Sequence, residues 1–159
     1  MIILGIDPGS RTTGYAFLEE QNNRIIVHNI GTIELKQFTT MGDKLNHLHK
    51  ALSELIQCHG PDMAAVETQF FGVNAKSAFV VGQVRGIVLL NFSEAGIPYS
   101  EYAPATIKKV VTGNGQAKKD QLARMLSQLT GLKNLEKHLD ASDALGVAFT
   151  HLQSIARSY

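Results

Sequence analysis

The sequence lacks the features that define several protein classes. Cys58 is the one cysteine among 159 residues, which excludes an internal disulfide and any zinc site built from clustered cysteines. No apolar run approaches the ~18 residues that a membrane span requires, and no tract is of low complexity. The first residues carry neither a basic segment nor the apolar core of a signal peptide, so we expect a cytoplasmic protein.

A strong net charge is absent as well, since the chain carries only +1 and this value indicates no partner. The charge is nevertheless unevenly distributed. The stretch from Ala105 to Lys137 contains seven Lys and Arg residues against two acids and carries +5, whereas the rest of the chain carries −4. This asymmetry indicates either a polyanion-binding face beside an acidic site or simply a solvated helical surface, and charge alone leaves both open.

The apolar pattern predicts an α/β fold. Residues 2–7 form an apolar run that ends in an acid, which is typical of a strand covered on both faces, and Asn22-Asn23 indicates a hairpin turn. We predict strands at 2–7, 13–18, 24–33, 63–67 and 97–102, and helices at 41–57, 74–94, 104–111, 119–129 and 140–154. This order predicts a five-stranded mixed sheet with helices on both faces, and no linker divides residues 1–159, so we expect a single domain.

Four carboxylates occupy notable positions. Asp7 ends the first strand, Glu67 ends the fourth, and Asp140 and Asp143 share one face at the start of the last helix. Each has an ordinary structural interpretation when taken alone: Asp7 can brace a turn, and the helical pair can cap its helix or offset its dipole.

Taken together, these anions are costly at the edge of an apolar sheet unless cations or shifted pKa values compensate. No Lys or Arg flanks Glu67, Asp140 or Asp143 closely enough to be an obvious partner. We therefore predict a divalent metal site, and a donor set made only of oxygen favours Mg²⁺ or Mn²⁺. Two such ions ~3.5–4 Å apart can activate a water and stabilise the leaving oxygen in phosphodiester hydrolysis.

The long helix at 74–94 carries a stripe of small residues, namely Ala75, Ala78, Gly82 and Gly86. Each glycine inside a helix costs about 1 kcal/mol relative to alanine. The stripe therefore indicates close approach of another element, either the protein's own sheet or a second subunit.

Three motifs together resemble the RuvC family of bacterial Holliday junction resolvases. These are GIDPGSRTTGY, VETQFFGVNAKSAFVVGQVRG and DASDALGVAFTH, which span nearly the whole chain in the family's order. The resemblance implies an RNase H-like fold and a homodimer that uses Mg²⁺ to cut opposing strands of a four-way DNA junction in recombination and repair. It also implies nicks with a 5′-phosphate and the branch-migration proteins RuvA and RuvB as partners.

Carried over residue by residue, the resemblance implies that the four acids hold the metal, with Asp7 bridging two ions. It also implies that Phe70 meets bases near the junction centre and that Lys108 and Lys119 contact DNA. Their neighbours Lys109 and Lys118 leave open which lysine of each pair faces phosphate. We expect His138 to lie on the surface or behind the metal ligands.

Three other functions are considered. The stretch DPGSRTTG also resembles the first phosphate loop of actin-like and Hsp70-like ATPases, but those proteins need two lobes and a second phosphate loop. The YqgF-type nucleases share the RNase H-like fold, although the Asp140–Asp143 pair and the Phe70 block speak against them. A junction-binding protein without activity would keep the basic stretch but would not need four acids.

Overall fold

The computed structural model describes residues 1–68 and 75–156. Phe70 therefore lies outside the described residues. The elements in this part of the chain are β1 (Ile3–Asp7), β2 (Thr12–Gln21), β3 (Arg24–Glu34), α1 (Met41–His59), β4 (Met63–Glu67), α2 (Ala75–Glu94), β5 (Tyr99–Tyr102), α3 (Pro104–Thr112), α4 (Lys119–Thr130), a 3₁₀ turn (Leu135–Lys137) and α5 (Leu139–Ala156).

The five strands form one mixed sheet in the order β3-β2-β1-β4-β5. The strand pairs β1/β2 and β2/β3 are antiparallel, whereas β1/β4 and β4/β5 are parallel. Helices α3, α4 and α5 cover one face of the sheet, and α1 and α2 cover the other. The predicted five-stranded mixed sheet with helices on both faces is confirmed.

The hairpin between β2 and β3 forms where the sequence predicted it. Asn22 and Asn23 both adopt positive φ angles, 53° and 60°. Asparagine tolerates this left-handed conformation, and two such residues in succession make a turn whose twist matches that of the flanking strands.

The alternation of side chains along β1 decides where Asp7 points. Leu4 and Ile6 are fully buried towards α1 and α2, whereas Ile3 packs towards α5. Because successive strand residues face opposite sides of a sheet, Asp7 projects on the same side as Ile3 and Gly5. The carboxylate therefore lies at the end of the central strand, on the face that α5 covers.

Helix α5 approaches the sheet closely at two glycines. A Cβ atom on Gly5 would lie 2.3 Å from the carbonyl oxygen of Ala144, and one on Gly14 would lie 2.1 Å from that of Asp140. No larger residue fits at either position unless the backbone moves. These contacts set the first turn of α5 directly over the edge of the sheet at which Asp7 lies.

The structure differs from the sequence-based expectations in two places. Strand β5 begins at Tyr99 rather than at residue 97, because the backbone N–H of Ile97 donates to the carbonyl of Phe92 and closes the end of α2. The 3₁₀ turn between α4 and α5 was not predicted. Asn134 enters it with a φ of 62°, which no apolar periodicity reveals.

The small-residue stripe of α2 does not face the protein's own sheet. A Cβ atom on Gly82 or Gly86 would meet no atom of the described residues within 4 Å. The sheet is instead contacted by the helix face that carries buried residues such as Val84 and Val88. The interpretation in which the stripe packs on the sheet is therefore wrong. None of the helices in the described ranges combines the length and apolarity that a membrane crossing requires.

Candidate metal centre and nucleic-acid site

The topology of the sheet places two of the predicted acids side by side. Strands β1 and β4 are parallel neighbours, with Ile6 paired to Val66, so Asp7 and Glu67 end at the same edge. Both side chains face α5, and a hydrogen bond joins their carboxyl groups.

The first turn of α5 supplies the other two acids. Asp140 and Asp143 lie three residues apart on one face of this helix. One carboxylate oxygen from each of Asp7, Asp140 and Asp143 lies within 4.8 Å of the others. Asp143 is 8% exposed, whereas Asp140 is open to solvent. Three of the four predicted acids thus converge, with Asp140 on the accessible side, whereas Glu67 adjoins this set through its contact with Asp7.

Burial and mutual repulsion disfavour the charged form of Glu67. Burial raises its pKa most, and the hydrogen bond to Asp7 and the charges of Asp7 and Asp143 add to this effect, so that the pKa reaches about 9. The pKa of Asp143 is also raised, because burial outweighs the opposing attraction of Lys119. The cluster is therefore short of positive charge.

Lys119 is the one cation that reaches the buried acids within the described residues. Its ammonium group forms an ion pair with a carboxylate oxygen of Asp143. Burial opposes the charge of Lys119, but the hydrogen bond and the nearby acids outweigh burial and raise its pKa. The expectation that no cation lies close to these acids is therefore wrong, because the start of α4 packs beside the start of α5 and brings together residues 24 positions apart.

A cavity of about 340 Å³ opens over the cluster. Lys108, on α3, and Lys119, at the start of α4, line it together with Asp7, Glu67 and Asp143. Their neighbours Lys109 and Lys118 are exposed and do not line this cavity. In each lysine pair, therefore, one member (Lys108 or Lys119) lines the cavity beside the acids, and its neighbour does not.

His138 is exposed and does not belong to the group of acids whose oxygens converge. It lines a second cavity together with Asp140, so it lies beside the candidate metal site at the surface. This agrees with the sequence-based expectation of a surface position.

Two residues that the sequence analysis did not single out lie behind Glu67. Tyr102 is paired with Glu67 across β4 and β5, and its hydroxyl is 2.8 Å from Nδ1 of His151 on α5. His151 is 3% exposed, and burial lowers its pKa. The hydrogen bond ties β5 to α5 beside the strand position that Glu67 occupies. An isolated histidine on the apolar face of α5 was the only signal for it in the sequence.

The donor set suits a hard divalent cation. Carboxylate oxygens are the potential ligands among the described residues, and no thiol lies among them. Burial and the neighbouring acids raise the pKa values of Glu67 and Asp143, so a nearby cation would stabilise their charged forms. Oxygen-rich sites of this kind hold Mg²⁺, Mn²⁺ or Ca²⁺. The cluster can therefore bind metal.

Comparisons with known proteins agree over almost the whole chain. The sequence model of the family described as crossover junction endodeoxyribonuclease RuvC matches residues 3–151. The chain is 45% identical over 152 residues to the crossover junction endodeoxyribonuclease RuvC of Chlorobaculum parvum, which covers 96% of this chain and 81% of that protein. It is 39% identical to the protein of the same name from Syntrophomonas wolfei, over 97% of this chain and 90% of that protein.

Solved structures share the fold. Thermus thermophilus RuvC in complex with a Holliday junction substrate superimposes with a TM-score of 0.92 at 28% identity, over 99% of this chain and 96% of that one. The yeast mitochondrial Holliday junction resolvase Ydc2 has a TM-score of 0.68 at 17% identity and covers 99% of this chain and 80% of that one, so it shows likeness of fold alone. The predicted RNase H-like fold is confirmed by the first of these matches. Because the family match extends over most of its length, the chain belongs to the RuvC family of crossover junction endodeoxyribonucleases.

Proposed function

We propose that this chain is a metal-dependent endodeoxyribonuclease that resolves four-way DNA junctions by hydrolysing a phosphodiester in each of two opposing strands. The observation that carries the proposal is the convergence of Asp7, Asp140 and Asp143. Glu67 adjoins Asp7, and an open cavity is lined by Asp7, Glu67 and Asp143. A protein that only bound junctions would gain nothing from four acids that repel one another, since each costs free energy without a counter-ion.

The metal of the proposal is Mg²⁺, with Mn²⁺ as a substitute, and two ions per subunit. Asp7 contacts Glu67 on the neighbouring strand, and one of its oxygens lies near those of Asp140 and Asp143 on α5, so Asp7 would be the acid best placed to serve both ions. When bound, such ions activate a water and stabilise the leaving oxygen. Glu67, Asp140 and Asp143 would complete the set of residues that hold the ions, and Lys119 lies beside Asp143.

The lysines of the cavity hold the DNA backbone. Lys108 lines the cavity without an ion-pair partner in residues 1–68 and 75–156, so it is available to a phosphate. Lys119 joins it once the charge of Asp143 is neutralised by metal. Lys109 and Lys118, which point away from the cavity, add to the attraction that the duplex arms experience at longer range.

Phe70 completes the proposed DNA contacts. It follows Glu67 by three residues in the sequence, which supports a contact between its ring and bases near the junction centre. Stacking of one base on an aromatic side chain contributes about 1–3 kcal/mol.

The active unit of the proposal is a homodimer of single-domain chains. Each chain holds one acidic cluster, whereas a two-fold junction needs two symmetric cuts, which a C₂ pair supplies. The exposed stripe of α2 supports an interface there. RuvA and RuvB are the proposed partners, and the cytoplasm is the proposed location because the substrate is chromosomal DNA.

The test is a cleavage assay on a synthetic four-way junction. With Mg²⁺ the wild type is expected to make paired nicks with 5′-phosphate ends, whereas Asp7→Asn binds the junction but cuts at least about 100-fold more slowly, because loss of a metal ligand removes several kcal/mol of transition-state stabilisation. Asp43→Asn, in the first turn of α1 on the opposite face, is the matched control and should cut like wild type. Equal cutting by wild type and Asp7→Asn would rule out this metal site.

A further inference from the structure

A second cavity, of about 440 Å³, begins where the acid cluster ends. We call it the edge groove. Strand β3 forms one wall, and the connection between α4 and α5 with the first turn of α5 forms the other. It is lined by Ile30, Gly31, Thr32, Glu34, Leu132, Lys133, Leu135, Lys137, His138, Leu139, Asp140 and Ala141. Asp140 is thus shared between the edge groove and the group of converging acids.

The groove carries cations that nothing else in the described structure uses. Lys133 and Lys137 are exposed, and neither lies within ion-pair distance of an acid in residues 1–68 and 75–156. Glu34, on the facing wall, is already paired with Lys36 at 3.1 Å. The groove therefore offers two ammonium groups to an anion, although the carboxylates of Glu34 and Asp140 also line it.

The walls also offer apolar surface. Ile30 and Leu132 are half-buried, and Leu139, the residue before Asp140, is 36% exposed. A large apolar side chain left partly in water beside free lysines suits a ligand that has both an apolar and an anionic part. A nucleotide has this character, because its sugar and base are flat or apolar and its phosphate is charged.

The lysine-bearing wall is held by its own backbone. Leu135 is 5% exposed and anchors the 3₁₀ turn in the core. The N–H of Lys137 donates to the carbonyl of Asn134 at 3.0 Å, and the N–H of His138 donates to that of Leu135 at 2.9 Å. Because this wall is already ordered, ligand binding there loses little conformational entropy.

We infer that the edge groove binds one nucleotide of the cleaved strand next to the scissile phosphate. Lys133 and Lys137 hold its phosphate, and Ile30, Leu132 and Leu139 contact its sugar and base. In this arrangement the cleaved strand runs across the acid cluster. On one side of the cluster it meets Lys108 and Lys119 in the acid cavity, and on the other side it enters the edge groove. The inference rests on the proposed function, because it takes the acid cluster as the place of cutting.

The test measures binding in an Asp7→Asn background, so that no cutting interferes. The variant carries Lys133→Gln and Lys137→Gln, and the matched control carries Lys44→Gln and Lys50→Gln on α1, on the opposite face of the sheet. Because all four lysines lie at the surface, melting temperatures should remain unchanged. For the groove variant, the slope of log affinity for the four-way junction against log salt concentration should become shallower by roughly 0.7–0.9 per lysine removed, and the control should keep the parental slope.

Position is tested with junctions in which one phosphate at a time, next to the cut site, is replaced by an uncharged methylphosphonate. The parent and the control should lose affinity at one such position, and the groove variant should lose none there, because its contact is already absent. An unchanged salt slope overturns the inference, and so does a groove variant that keeps the parental sensitivity at every position. Failure of the wild type to cut with Mg²⁺ would instead reject the proposed function, so the two failures are distinguishable.

Discussion

The ammonium group of Lys119 lies against a carboxylate oxygen of Asp143, although 24 residues separate them in the chain. The pair joins the start of α4 to the start of α5 at the mouth of the acid cavity. Without metal, Lys119 partly offsets the repulsion among the acids. In the proposed function the same side chain would meet a phosphate once metal and DNA are bound, so one lysine would contribute to two states of the site.

Replacing Lys119 is expected to affect metal and DNA binding in opposite directions. In Lys119→Gln, the DNA-free protein should bind Mn²⁺ roughly two- to five-fold more tightly, since a competing and partly exposed cation is gone. Junction affinity should fall, because a phosphate contact is lost. Calorimetric titration with Mn²⁺ measures the first effect. Lys118→Gln, which lies outside the cavity, should leave metal affinity unchanged, and unchanged or weaker Mn²⁺ binding by Lys119→Gln would contradict the role given to the pair.

The stability of the metal-free protein should fall as pH rises from 7 to 9. The pKa of Glu67 is raised to about 9 in the folded state, whereas in the unfolded chain the same carboxyl group has its ordinary pKa of 4.5. Between these values the folded state binds the extra proton, so raising the pH favours unfolding. Asp143, with its raised pKa, acts in the same direction. His151 titrates below 6.5, because burial lowers its pKa, and therefore does not contribute in this range.

Thermal melts in a chelator at pH 7, 8 and 9 measure this slope. Glu67→Gln keeps a hydrogen-bond donor for Asp7 but cannot ionise, so its melting temperature should vary less over the same range. If the melting temperature of Glu67→Gln varied with pH as much as that of the wild type, another group would be responsible for the pH dependence.

Metal binding should release protons at neutral pH. Because Glu67 is protonated in the free protein and ionised as a ligand, Mg²⁺ affinity should increase with pH up to about 9. Titrations at pH 7 in two buffers of different ionisation enthalpy should report about one proton released per chain. Binding without proton release would mean that Glu67 is not a ligand.

Gly14→Ala is expected to impair both stability and cutting. The added methyl group would lie 2.1 Å from the carbonyl oxygen of Asp140, so the first turn of α5 must move away from Asp7. Overpacking of this kind costs about 1–3 kcal/mol of unfolding free energy. Chemical denaturation and the junction assay measure the two effects. Gly42→Ala, where an added Cβ meets nothing within 4 Å, is the control and should lose neither stability nor activity.

The exposed face of α2 should carry the dimer contact. Phe79 is 69% exposed and Leu90 is 45% exposed, and they flank Gly82 and Gly86 on one side of the helix. Phe79→Asp should shift the protein from dimer to monomer in analytical ultracentrifugation and convert paired cuts into single nicks. Leu129→Asp is the matched control, since Leu129 is 42% exposed on α4. A Phe79→Asp protein that remains dimeric would exclude α2 as the interface.

Local patterns were sufficient for most of the architecture. The apolar run of β1, the periodicity of α1 and the Asn22-Asn23 turn each depend on neighbouring residues, and the structure has all three close to their predicted bounds. Asp7 and Glu67 could be placed at strand ends for the same reason. Their meeting then follows from one topological fact, the parallel pairing of β1 and β4.

Contacts between distant elements could not be predicted in this way. The pairing of Lys119 with Asp143, the hydrogen bond of Tyr102 to His151 and the edge groove all depend on how helices pack on the sheet. Packing angles arise from side-chain volumes summed over whole faces, and no short window of sequence carries that sum. For the same reason, only the structure distinguishes Lys108 from Lys109 and Lys119 from Lys118.

The sequence by itself determined which residues could be metal ligands, the order of strands and helices, and the family. These depend on residue type, spacing and local periodicity. The tertiary structure alone decided how strongly the acids repel one another, which cation partly offsets that repulsion, and where the edge groove lies. The physical reason is that electrostatic energies depend on distance and burial in space, and the close approach of α5 to Gly5 and Gly14 sets both.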